Sequence, residues 1–361
     1  MLTSLSGNLK AMLRIPKYLF SEHRPLNMCA LINNCFAGYF QYGIIGNTIR
    51  IEVSGICQLK CPICIPQKDA IKGRGYMRFG DFKKIVDDNL NFKNVEISLT
   101  GEIFLNPELN DIIRYAHMKK LNITIRSGVN LNTVSEELLE CLVKYRVRIM
   151  NISIDGASND TYKIYRIGGN FYRVIENIKK INSYKKKYNS ELPRLIWQFI
   201  AFGHNEHEIA IAKKMAKQLN MRFLLKLNAW NSAYSPVRNK EFLRKEIGYA
   251  TADECEEKTH KIYMFACHQL WYSPQITWDG KLIGCSANCK GVWGDFGNVF
   301  ESGLKNCLNS EKYIYTKKML LGREKERSDI PCMQCDKYAK VKSYKINPII
   351  DIFPMLLWFY Q

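Results

Sequence analysis

The feature that most constrains this chain is the run Cys57-Gln58-Leu59-Lys60-Cys61-Pro62-Ile63-Cys64, three thiols within eight residues, directly after the β-branched segment Arg50 to Ser54. A structural zinc takes four ligands in a tetrahedron, so three close cysteines without a local fourth point to an iron–sulfur cluster with one iron lacking a protein ligand. A zinc loop completed by a distant cysteine is the alternative reading. The chain holds 13 cysteines in 361 residues, yet Lys10, Arg14 and Lys17 interrupt any apolar signal-peptide region in Met1 to Phe20. A reducing cytoplasm is therefore expected, where clustered cysteines mean metal more often than disulfide.

Around that run the pattern is regular. Strands are expected at Arg50 to Ser54, Val95 to Leu99, Asn122 to Ser127, Arg148 to Ile154, Leu195 to Phe202 and Arg222 to Leu227. Helices are expected near Asp81 to Asn91, Pro107 to Lys119, Ser135 to Tyr145, Phe171 to Tyr188 and Glu206 to Leu219. Asn106 before Pro107 reads as a helix start, Ser135 as an N-cap, and Lys185 to Lys187 as a solvated helix end. Alternating strands and helices predict an α/β fold, a partial (βα)6 TIM-like barrel over residues 50–230, with chemistry at the carboxyl ends of its strands. Beyond Asn228 helical regularity fades, and Gln275 to Gly284 reads as a hairpin turning at Asp279-Gly280. Residues 250–340 predict a small Cys-rich auxiliary domain with too thin a core to stand without a metal. Residues 1–49 read as an N-terminal extension and 341–361 as an apolar tail.

Composition narrows the partners. At 47% hydrophobic and 24% charged the chain is globular, not disordered or fibrous. Its formal net charge of +19 attracts anions without choosing among nucleic acid, anionic lipid and phosphorylated small molecules. Pro25 to Ile49 carries no charge, but its asparagines and glycines argue against a membrane span. The tail Ile346 to Gln361 is broken by Pro348, Asp351 and Pro354, too short to span, and suited to lie on the core or a lipid surface.

The Cys-x3-Cys-x2-Cys spacing after a first strand resembles the radical S-adenosylmethionine (SAM) superfamily. The resemblance implies that Cys57, Cys61 and Cys64 hold a 4Fe-4S cluster whose fourth iron is chelated by SAM, and that electron transfer from the cluster releases a 5'-deoxyadenosyl radical. Thr100-Gly101-Glu102 is similar to the Gly-Gly-Glu-type motif that holds the SAM amino group, with Thr100 in place of the first glycine. Ser153-Ile154-Asp155-Gly156 resembles the family segment whose serine contacts SAM, and Arg166 the arginine that pairs with the SAM carboxylate, a fork-to-carboxylate contact that suits arginine. Bland readings stand beside these: a helix cap for Asp155 and a surface cation for Arg166.

Cys267, the Asp279-Gly280 hairpin, Cys285 and Cys332-Met333-Gln334-Cys335 supply four soft ligands, enough for a zinc or a second 4Fe-4S site. The arrangement resembles the SPASM auxiliary-cluster domain in its shortened twitch form, which implies one auxiliary cluster. Cys289 and Cys307 remain beside it, Cys307 as a packing residue and Cys289 as a substitute ligand, a hydrogen-atom donor in catalysis, or a packing residue. Cys29, Cys35, Cys141 and Cys255 read as packing.

For the reaction, the resemblance implies hydrogen abstraction by the adenosyl radical. The stretch ahead of Cys57 does not show the winged-helix pattern of peptide recognition domains, which favours a small carbohydrate-type substrate, with phosphorylated or nucleotide-linked sugars among the candidates. Dehydrogenation of an alcohol to a ketone, or epimerisation with Cys289 returning hydrogen, would follow. A peptide-modifying maturase is the alternative, and a non-catalytic zinc protein binding nucleic acid is a third reading, disfavoured by the open cluster motif. An external low-potential donor, flavodoxin or ferredoxin, is expected. No base is assigned; Tyr272, His268 and Arg126 stand where one could.

Overall fold

The computed structural model describes residues 47–64, 74–89, 91–229, 231–288 and 293–346. The N-terminal run, Cys29, Cys35, Cys289 and most of the C-terminal tail lie outside the described residues. The described strands form a parallel sheet in the order β6-β5-β4-β3-β2-β1-β7. They are β1 (Thr48–Ile51), β2 (Asn94–Glu96), β3 (Asn122–Val129), β4 (Ile149–Ser153), β5 (Arg194–Ala201), β6 (Arg222–Leu227) and β7 (Gln275–Ile276). Crossover helices α1 (Phe79–Asp88), α2 (Leu109–Met118), α3 (Glu136–Lys144), α4 (Asn159–Tyr165), α5 (Phe171–Lys187) and α6 (Ile209–Gln218) lie between strands β1 to β6.

Side chains alternate across a strand, and here the alternation separates two chemistries. Ile49, Ile51, Val95, Ile97, Ile123, Ile125, Met150, Ile152, Trp197 and Phe199 form one core with Phe82, Ile112, Leu142 and Ile178 of the helices. Full burial of such side chains contributes roughly 1.5–3 kcal/mol each. The positions between them are polar: Arg50 and Glu52, Glu96 and Ser98, Thr124 and Arg126, Asn151 and Ser153, Gln198, and Lys226. A parallel sheet buried on both faces usually reads as continuous hydrophobic runs. The polar inner face is thus reserved for something other than core.

The six expected barrel strands are present, with β1 and β2 starting and ending earlier than the sequence suggested. Ser135 caps α3, its Oγ accepting from Leu138 N at 3.2 Å. Asn106 does not begin α2. It lies just ahead of the helix, its Oδ1 accepting from Glu108 N at 2.8 Å as a start signal should, while its Nδ2 ties Val53 O and Met77 O at 2.8 and 3.0 Å and locks the strand end to the loop that follows. Lys185 corrects the expected solvated end, since it is buried, whereas Lys187 pairs with Glu140 at 2.6 Å.

Beyond Asn228 the expectation of lost helicity is also corrected. Helices α7 (Lys240–Ile247), α8 (Ala252–Thr259), α9 (Glu311–Leu320) and α10 (Asp336–Ser343) form there. The hairpin is present: Ile276 bridges Leu282, and Gly280, at φ +85, takes the left-handed turn position. Its first strand is β7, whose Gln275 stands opposite Arg50 of β1. The Cys-rich region shares the barrel's core, with Leu270, Trp271, Leu282, Phe296 and Tyr313 in the same cluster.

Candidate functional site

The loop after β1 carries the first thiols and is held on every side by backbone. Gly55 N donates to Gly75 O at 2.8 Å, Glu102 N to Ile56 O at 2.7 Å and Lys60 N to Ile167 O at 3.0 Å. Leu59, Cys61 and Ile63 pack with Tyr165, Ile200 and Phe202, with Cys57 and Cys64 at the edge of that cluster. Asn130 Nδ2 lies 3.9 Å from Cys57 Sγ and Arg166 Nη1 3.6 Å from Cys61 Sγ, donors suited to sulfur that carries negative charge. Burial, then the neighbouring Glu102, pushes the Cys57 thiol up to about 12. Such a thiol ionises only if positive charge is brought to it, which a metal cluster does.

Glu102 follows a glycine that cannot be replaced without moving the loop. A Cβ on Gly101 would stand 2.3 Å from Ser54 O and 2.8 Å from Ile56 N. The Glu102 carboxylate is buried, accepts from Asn130 N at 2.7 Å, and is pushed up to about 7, mainly by desolvation. A buried carboxylate short of positive charge fits an ammonium ligand. Ser153 ends β4, and a Cβ on Gly128, at φ +101, would reach its Oγ at 2.3 Å. Asp155 is no helix cap; Ser158 caps α4. Its buried carboxylate instead accepts from Ile200 N at 2.7 Å and Arg166 Nε at 2.6 Å. Arg166 is accordingly no surface cation: Asp155 fixes its Nε and the Cys61 thiol faces its Nη1, and its side chain is 13% exposed.

Cys267, Cys285, Cys332 and Cys335 line one apolar pocket with Leu270 and Phe296. Cys267 precedes a short helix, Cys285 ends the hairpin, and Cys332 and Cys335 sit on a single turn where Cys335 N donates to Cys332 O at 3.1 Å. Burial pushes every one of these thiols up, Cys285 to about 11, and their mutual repulsion adds to this at Cys267, Cys285 and Cys332. Four thiols facing one concavity fit a cluster's donor set. Cys307 is a packing residue beneath Gly297, and Cys141 and Cys255 are buried. Among the described residues no three acidic, His or Cys side chains converge on one point as a single metal ion requires. A four-iron cluster makes a different demand, because each thiolate binds its own iron.

Sequence reasoning missed the polar inner face. Glu52 accepts from the Thr100 hydroxyl, and Arg50 donates to Gln275 Oε1 at 2.8 Å and Ser127 Oγ at 3.1 Å. Gln198 Oε1 accepts from Lys226 Nζ at 2.7 Å. Alternating polar residues inside β-branched runs were the available signal. His268, named for its position, is buried with Nδ1 unpartnered among the described residues and pushed down to about 4 by desolvation.

These features define a class. Residues 51–215 match the Radical SAM superfamily and residues 267–336 the SPASM iron-sulfur cluster-binding domain, so the chain is a radical SAM enzyme with an auxiliary-cluster domain. Its cofactors are a 4Fe-4S cluster, SAM and an auxiliary cluster. A GTP 3',8-cyclase of Clostridium botulinum strain Okra is 24% identical over 278 residues, 74% of this chain and 83% of that protein. The subtilosin biosynthesis protein AlbA of Bacillus subtilis is 26% identical over 272 residues, 72% of this chain and 58% of that protein. SuiB of Streptococcus suis bound to S-adenosylmethionine has the same fold, with a TM-score of 0.62 and 15% identity over 94% of this chain and 83% of its own. No described helix is long and apolar enough to cross a membrane.

Proposed function

We propose that the chain is a radical SAM peptide maturase, with Cys57, Cys61 and Cys64 holding the SAM-binding cluster and Cys267, Cys285, Cys332 and Cys335 the auxiliary one. The observation that carries the substrate class is the similarity to AlbA, a bacteriocin biosynthesis protein, across 72% of this chain. Solved structures of the same fold include SuiB bound to a precursor peptide, at a TM-score of 0.58. A carbohydrate substrate finds no support in these relatives, and the peptide reading replaces the dehydrogenase and epimerase expectations. When bound, the first cluster supplies the electron that splits SAM into methionine and the 5'-deoxyadenosyl radical.

The chain's own residues bind and orient. Glu102 takes the SAM ammonium, which lowers its raised pKa back toward the usual carboxylate range. Gly101 keeps the backbone of Ser54 and Ile56 in place beneath it. Asp155 aims Arg166 at the Cys61 loop and at the SAM carboxylate, while Ser153 offers a hydroxyl on the same face. Beyond them the inner face presents the polar side chains of Asn151, Gln198 and Lys226.

The test is anaerobic incubation of reduced, cluster-loaded protein with SAM and deuterated peptides. Deuterium in 5'-deoxyadenosine with a mass change in the peptide supports the reading. Deuterium arriving only from GTP would point to the cyclase-type reading that the C. botulinum relative favours.

A further inference from the structure

Two groups on the inner face have unmet demands among the described residues. Lys226 projects from β6 on the side away from the helices, where its register partner Ile200 and neighbour Gln198 also point. Its Nζ donates to Gln198 Oε1 at 2.7 Å, and it forms no ion pair among the described residues. The anion whose field it feels is Asp155, already committed to Arg166 Nε and Ile200 N. An ammonium withdrawn from water with no carboxylate partner is costly, and burial pushes this one down to about 8.

Asn151 of β4 is the second group. It is 6% exposed, and its Nδ2 donates to Arg126 O at 2.9 Å and to the same Gln198 Oε1 at 3.4 Å. Its Oδ1 is buried and accepts nothing among the described residues. Turning the amide over would set Oδ1 against Arg126 O and Gln198 Oε1, two acceptors, so the orphan is not a matter of orientation. A donor-hungry acceptor and an anion-hungry cation therefore meet at one glutamine. Buried polar groups are normally satisfied, and those that are not await a partner.

We propose that Lys226 and Asn151 form a specificity subsite that takes an acidic residue of the substrate peptide, its carboxylate on Lys226 Nζ and a backbone N–H on Asn151 Oδ1. An amino-acid residue carries both groups, and Gln198 holds the two recognising side chains in register. The inference rests on the peptide reading and narrows it to peptides with Asp or Glu near the reacting position. It also accounts for a lysine at a sheet position where leucine would be cheaper.

The experiment uses the full chain with both clusters and SAM bound, under anaerobic conditions. Calorimetric titration compares acetyl-Gly-Glu-Gly-amide with acetyl-Gly-Gln-Gly-amide. Wild type is expected to bind the Glu peptide at least tenfold tighter. Lys226→Met and Lys226→Gln are expected to abolish that preference, Lys226→Arg to keep part of it, and Asn151→Leu to weaken both peptides alike. Iron content and circular dichroism establish that each variant is folded and loaded, and Lys226→Gln guards against a Lys226→Met that misfolds. Equal binding of the two peptides by wild type, or a preference that survives in both uncharged Lys226 variants, overturns the subsite while leaving the peptide reading standing. Indifference to both peptides together with Lys226-dependent binding of GTP overturns both.

Discussion

Gly101→Ala puts the architecture of the first site under direct strain. The added methyl would stand 2.3 Å from Ser54 O, 2.7 Å from Ser54 C and 2.8 Å from Ile56 N, where ordinary contact begins at 3.4 Å. The worst gap must therefore open by about 1.1 Å, the difference between 3.4 and 2.3 Å. All three atoms are backbone, so no side chain can swing aside, and the segment that leads into Cys57 has to move. Overpacking of this kind costs about 1–3 kcal/mol. At about 2–4 °C per kcal/mol, the melting temperature should fall by about 2–12 °C. The functional loss should be larger, because a misplacement of about 1 Å at a reacting centre can cost about 100-fold in rate. The assay pairs thermal unfolding with iron content and 5'-deoxyadenosine production. Loss of SAM cleavage beyond the loss of folded protein is expected. An alanine variant that melts, loads iron and cleaves SAM like wild type would refute the inference that this close approach positions the loop.

Other outcomes follow from the same geometry. Asp155→Ala leaves the Arg166 guanidinium buried without its carboxylate, and breaking such a pair typically costs about 3–5 kcal/mol; weakened SAM binding and a lower melting temperature are expected, and Asp155→Asn should recover part of the stability by keeping the Ile200 N–H satisfied. Lys226 ordinarily titrates near 10.5 and is held near 8, so its burial penalty is full below about 8 and gone above about 10.5. Discounted for its partial exposure, Lys226→Met should stabilise the metal-free protein by about 1–2 kcal/mol at pH 7, and the gain over wild type should shrink between pH 8 and 10.5 in denaturant titrations. A constant gain across that window would contradict the assignment. Cys335→Ala should lose the auxiliary iron but keep the first cluster, as read by iron analysis and electron paramagnetic resonance. Chelation of both clusters should expose the 267–336 region to protease first, because its four thiols line one pocket.

What could be read from the sequence was local. The Cys57 to Cys64 spacing, the Ser135 cap and the Asp279-Gly280 turn each need only a few neighbouring residues. The regular βα alternation made the sheet legible because its outer face is uniformly apolar. Helices α7, α8 and α10 escaped because each buries two residues or fewer, α7 only Leu243, so their apolar periodicity is faint. The pairing of β7 with β1 escaped for another reason, since it joins Gln275 to Arg50 across 225 residues. Within the site, Glu102 and Arg166 were found as motif members, but the Asp155 link between Arg166 and β5 needed the fold. Lys226, Asn151 and Gln198 belong to no motif, and only the sheet brings them together.

The central claim is that the thiols of Cys57, Cys61 and Cys64 hold the cluster at which SAM is cleaved. The most direct measurement is 5'-deoxyadenosine formed by oxygen-free, reduced protein, comparing wild type with a variant carrying Cys57→Ala, Cys61→Ala and Cys64→Ala. The account predicts turnover in wild type and none in the variant, which should still carry auxiliary iron. Undiminished 5'-deoxyadenosine from the variant, or none from iron-loaded wild type, would contradict it.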